Sequence, residues 1–184
     1  MRISNTKSSF GFLSKTFHWS IALLVLAQFG YIAALKWFVP KGSTTAGLLM
    51  RDLHKPFGVV LLGLISLALL WKLVSKRPQF SSTMPAIEKI AAFFTHWLLY
   101  LTSLAMAVSG LVMSIAGGYP VNLFRSYQIP FFIEKNKMLA GNAHEIHEMG
   151  AWILLALIVI HLLAVIKHQW IDKDNTLKRM LPFH

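Results

Sequence analysis

The sequence predicts an all-α membrane protein built as a four-transmembrane-helix bundle. Two observations lead there. Of 184 residues, 55% are hydrophobic and 14% charged, with a mean hydropathy of +0.57, too little polar surface for a water-dispersed chain of this size. Four apolar segments also reach the roughly 20 residues needed to cross a hydrocarbon core about 30 Å thick. A third observation, the placing of the histidines along those segments, bears on what the bundle encloses.

The segments run from Phe17 to Phe38, His54 to Val74, Ile90 to Ile115 and His144 to Ile166. Pro40 and Gly42 end the first, which is too long for a cleavable leader. Arg77, Pro78 and Pro85 mark the next connection. Pro56 falls in the expected first turn of the second helix, where its missing N–H is harmless. Gly117, Gly118 and Pro120 end the third segment before a long loop to Asn142. Open sheets leave unpaired backbone groups in lipid, so a single helical bundle spanning 1–184 is the expected architecture.

The net charge is +11. Its Lys and Arg residues flank the apolar segments rather than form one basic face, so membrane topology accounts for them and nucleic acid is not an expected partner. Eleven of the 18 basic residues fall on the side holding the N-terminus, which places both termini in the cytoplasm. Trp19, Trp37, Trp71, Trp97 and Trp152 near the segment ends suit an interfacial belt against membrane lipid.

Ionisable side chains inside a bilayer are costly and mark function. His18 opens the first segment, His54 the second and His144 the fourth, with His161 further along that last segment. Seventeen residues separate His144 from His161, a rise of about 25 Å, and both are expected on the inward face. Antiparallel order then pairs His18 with His161 at the cytoplasmic face and His54 with His144 at the opposite face. Each pair can hold a haem iron, since neutral imidazole is a normal axial ligand. Interfacial hydrogen bonding is the alternative for each histidine taken singly. His96 competes for the cytoplasmic site or contacts a propionate or quinone there. His147, one turn from His144, either replaces it as ligand or faces water. His168 is a surface histidine or a proton donor to quinone. Gly58 and Gly63 make room for a porphyrin or for close helix packing. With no cysteine in the chain, covalent haem attachment and iron–sulfur ligation are excluded.

The stretches Phe17-His18-Trp19, Asp52-Leu53-His54-Lys55, Thr95 to Tyr100, Ala143-His144-Glu145, Ile160-His161-Leu162 and the tail Lys173 to Met180 together resemble the bacterial cytochrome b561 family. The resemblance covers essentially the whole chain. It implies two b-type haems between four helices of a bacterial inner membrane, with ligands falling on His18, His54, His144 and His161. It also implies an oxidoreductase exchanging electrons with ubiquinone or another quinone. One branch of the family oxidises superoxide at the outer face. For such an anion, Arg51, Lys55 and Arg125, with Lys135 and Lys137 in the long loop, form a steering cluster, or else balance propionates and anionic headgroups. The alternative function is a haem-b anchor subunit of a larger dehydrogenase or hydrogenase. A transporter would need broken helices and mid-membrane carboxylates, which the sequence lacks.

Overall fold

In the computed structural model, residues 2–80, 84–124, 126–174 and 176–181 are described. Among them, four helices are long and apolar enough to cross a membrane. They are α1 (Phe12–Phe38), α2 (Thr44–Val74), α3 (Ala86–Ala116) and α4 (Lys137–Ile171). α2 packs on both α1 and α3, and the broadest interface joins α3 to α4.

Local chemistry sets the helix ends. Gly11 caps α1 in extended conformation, and a Cβ there would lie 2.4 Å from the Ile3 carbonyl oxygen. Only glycine lets the N-terminal segment fold back so closely. At the start of α2, the Ser43 hydroxyl accepts from the Ala46 N–H at 3.1 Å, an ordinary N-cap. The Asn136 side chain does the same for Leu139 at the start of α4, at 3.0 Å. Between α3 and α4, Asn122 and Leu123 pair with Gln128 and Tyr127 in a small antiparallel hairpin.

All four helices begin earlier than the apolar pattern suggests, since Ser14, Lys15, Thr44, Glu88 and Lys137 are helical yet too polar to belong to an apolar segment. Pro56 thus sits inside the continuous α2 while occupying, as expected, the first turn of its regular α-helical stretch Lys55–Val74. A π turn over Met50–His54 directly precedes it. Proline breaks the regular ladder of hydrogen bonds, and the wider turn absorbs the break. His144 likewise lies two turns into α4 instead of opening it. A second π turn, Lys167–Ile171, ends α4.

The core is a short apolar layer of Val25, Leu61, Ile65 and Leu154, flanked by Phe29, Leu99, Leu104 and Ile158. Leu23, Leu67, Leu70 and Trp152 point outward, as side chains facing acyl tails must. At the end holding both termini, the Trp71 indole donates to Ser14 at 2.8 Å and the Trp19 indole to the Met180 carbonyl at 2.8 Å. These bonds tie the C-terminal tail and α2 to α1.

Lipid is as apolar as this core, so packing contacts rather than water exclusion hold the layer together. Ile65 is 1% exposed, and Ile65→Ala is expected to lower stability by about 1–3 kcal/mol through the cavity it leaves. Leu67→Ala, outward-facing, should leave the unfolding midpoint in detergent unchanged.

Candidate functional site

The histidines fall into two tiers separated by the apolar layer. In the tier distant from the termini, the His54 and His147 rings have centroids 6.1 Å apart, nearly perpendicular at 89°. In the other, His18 and His161 are 6.3 Å apart, and His96 stands 5.3 Å from His161. An imidazole nitrogen binds a metal at about 2 Å, so two rings flanking one iron have centroids roughly 6 Å apart. The His54–His147 and His18–His161 separations fit that requirement, while the His96–His161 spacing is too short for it. The residues present therefore suit a haem iron in each tier.

Proton positions are fixed at the distal tier. His54 Nδ1 lies 3.0 Å from Gln28 Oε1, and the Gln28 amide donates to the His54 carbonyl at 2.9 Å. This reciprocal pair makes Oε1 the acceptor and puts the His54 proton on Nδ1. His147 Nδ1 lies 2.8 Å from the Met106 carbonyl oxygen, which can only accept. Both rings thus present an unprotonated Nε2, the state a metal-binding imidazole needs, oriented by an outer acceptor.

His144 is not part of this arrangement. Its side chain is 65% exposed and lies 3.9 Å from Glu148. The helical arithmetic explains the correction. Seventeen residues make about 4.7 turns, leaving His144 some 100° from His161. The fourteen residues from His147 to His161 make about 3.9 turns, within roughly 40° of one face. His147 takes the inward position expected of His144.

Two supporting residues escaped the sequence reading. Gln28 is the strongly polar side chain in the apolar run between Ser20 and Lys36, a signal that was available. Gly110 had no such signal. A Cβ there would lie 3.0 Å from His147 Cε1 and 3.1 Å from Nδ1, so the missing side chain is the ring's seat. The glycines singled out from sequence behave differently: at Gly58 and Gly63 a Cβ would meet nothing within 4 Å. They serve no close helix contact, and Gly58 leaves space one turn beyond His54.

The cationic side chains expected to steer an anion are partly engaged. Arg51 Nε pairs with Asp52 at 2.9 Å. Lys55 Nζ reaches the Pro120 carbonyl at 3.4 Å and stands 5.5 Å over the Tyr119 ring. Arg125 lies outside the described residues. At the termini end, Lys72 sits over Trp97 and Tyr100, 4.8 and 4.5 Å from their centroids.

His168, expected at the surface or at a quinone, is buried. The π turn carries it, and Lys173, in left-handed conformation at φ 51°, bends the chain so that Asp174 returns beside it. His168 Nδ1 lies 3.0 Å from Asp172 and 3.2 Å from Asp174. Lys167 bridges Asp172 at 2.7 Å and Glu88 at 3.0 Å. Its hydrogen bond is the main cause holding the Asp172 carboxyl below its ordinary value.

The family model described as prokaryotic cytochrome b561 matches residues 9–183. The chain is 33% identical to cytochrome b561 homolog 2 of Escherichia coli K12, over 98% of this chain and 95% of the relative. It is also 33% identical to cytochrome b561 homolog 1 of the same organism, over 90% and 92%. To a probable superoxide oxidase CybB of Yersinia pestis it is 27% identical, over 90% and 91%.

Filling the seat at Gly110 should displace the His147 ring. Gly110→Leu is expected to lower the haem-to-protein ratio of purified material. Gly141→Leu, where a Cβ meets nothing within 4 Å, should leave it unchanged.

Proposed function

Because the chain belongs to the prokaryotic cytochrome b561 family of bacterial multi-pass membrane electron-transfer proteins, we propose that it holds two haems b and passes electrons to quinone. One haem would be held by His54 with His147 and the other by His18 with His161. The carrying observation is the Nδ1 anchoring of His54 by Gln28 and of His147 by the Met106 carbonyl. It leaves Nε2 unprotonated on both rings, the form that iron ligation requires.

Bound haem supplies reversible one-electron chemistry, with its potential tuned by ligands and surroundings. The protein's own contribution is to hold imidazoles at two depths, keep the layer between them dry, and supply protons. Val25, Leu61, Ile65 and Leu154 form that dry layer. Lys72, over its two aromatic rings, offers a positive charge to a propionate at the proximal tier. His96 stands beside this tier as a neighbour of the His161 ring. The basic-residue bias puts the His54 tier at the periplasmic face and both termini in the cytoplasm.

Reducing a quinone takes two electrons and two protons. His168 is the proton donor in this reading, with Nδ1 held toward Asp172 and Asp174 and Nε2 left for a quinone oxygen. Superoxide is the donor favoured for the outer face, in line with the relative named as a probable superoxide oxidase. The balanced reaction consumes two superoxide anions, one quinone and two protons, and yields two dioxygen and one quinol. Lys55 offers the positive charge nearest His54, and Arg51 attracts less because Asp52 neutralises it.

A dithionite-reduced spectrum with haem quantitation tests the ligand set. His54→Ala and His147→Ala should each lose the same haem, and His18→Ala and His161→Ala the other. His144→Ala should retain both; loss in that variant with retention in His147→Ala would reverse the assignment. For the donor, superoxide is mixed rapidly with oxidised protein. Haem reduction faster than the spontaneous background is expected, and its absence removes superoxide while leaving the ligand assignment intact.

A further inference from the structure

At the cytoplasmic end of α4, away from the paired imidazoles, three side chains converge from two helices and the following turn. One ligand-type atom from each of Glu88, His168 and Asp172 lies within 4.8 Å of the other two. Acidic side chains gather on many surfaces without consequence, so a second observation is needed, and His168 provides it. It is 9% exposed, hence nine-tenths buried. Its Nδ1 is shielded from solvent and makes no hydrogen bond, although two carboxylates stand 3.0 and 3.2 Å away. Glu88 Oε2 is also shielded and without a hydrogen-bond partner. A buried imidazole nitrogen and a buried carboxylate oxygen left without hydrogen bonds are costly unless something satisfies them.

We propose that Glu88, His168 and Asp172 form a site for one divalent cation of the zinc class. The cluster already selects positive charge, since the Lys167 ammonium bonds Asp172 at 2.7 Å and Glu88 at 3.0 Å. That side chain is 40% exposed and flexible, so it can swing into solvent when a stronger cation arrives. One imidazole with two carboxylates suits zinc, which accepts mixed nitrogen and oxygen ligands near tetrahedral geometry. Magnesium and calcium prefer all-oxygen shells. Asp174, 3.2 Å from the same imidazole nitrogen, offers a fourth ligand or an outer acceptor. Filling the site ties up His168, so the metal would slow proton delivery to quinone; this consequence alone rests on the proposed function.

Equilibrium dialysis of the haem-loaded full chain against zinc ion tests the site without any quinone. One saturable ion per chain is expected. Glu88→Gln, His168→Gln and Asp172→Asn should each weaken it at least about tenfold, with unchanged haem spectra showing that the bundle is intact. Lys167→Met removes the competing ammonium and should tighten binding. Equal zinc uptake by the wild type and the Glu88→Gln/Asp172→Asn double variant would overturn the proposal, as would weaker binding by Lys167→Met. If zinc binds as expected but quinone reduction is unaffected, the metal site stands and the role given to His168 fails.

Discussion

The hydrogen bond from His147 Nδ1 to the Met106 carbonyl, 2.8 Å long, is the contact on which the distal tier depends. An imidazole inside a bilayer must satisfy its N–H within the protein, and here the acceptor belongs to the neighbouring helix backbone. The Ser109 hydroxyl donates to the same carbonyl at 3.0 Å. A helical carbonyl can serve several donors because it has two lone pairs and can share them. For the ring to reach it, α3 and α4 must approach closely. Gly110 permits that at the ring, and Gly150 permits it nearby, where a Cβ would lie 2.8 Å from Met106 Cγ. The broad α3–α4 interface and the orientation of His147 are therefore one feature.

The same reasoning organises the opposite partner. His54 sits on a π turn directly ahead of Pro56, so the helical irregularity forced by proline falls where a side chain must be aimed at a site. Gln28 then locks the ring from α1 through two bonds of 3.0 and 2.9 Å. α1, α2, α3 and α4 all contribute to this tier. The apolar layer beyond it sets the spacing to the second: Leu154 lies between His147 and His161 on α4, and Val25 lies between His18 and Gln28 on α1. Inward imidazoles and inward aliphatics thus alternate along two helices.

Polar residues at the termini end do different work. Trp19, Trp71 and Asn5 fasten the N-terminal segment, the α2 end and the tail to one another, with Asn5 donating to the Lys76 carbonyl at 3.0 Å. Within that frame the tail folds back over α4, and His168 is buried in an acidic corner that Lys167 bridges, in a chain that is strongly basic overall.

Hydropathy alone determined the four spans, because crossing lipid leaves the backbone no other arrangement and the required length is set by the bilayer. It also drew attention to the histidines within the apolar helices, since ionisable side chains are costly there. The family resemblance, carried by ordered stretches from Phe17 to Met180, was legible for the same reason. What the sequence left open was which of two histidines one turn apart turns inward. His144 and His147 differ by a rotation of about 60° on the helix, and that choice is made by the surface α3 presents. The absence of a side chain at Gly110, the reachable carbonyl of Met106 and the return of Asp174 beside His168 are set by tertiary packing rather than by local sequence. Only the packed tertiary structure brings them within reach, because van der Waals contact and hydrogen-bond direction act between surfaces that a linear order does not specify.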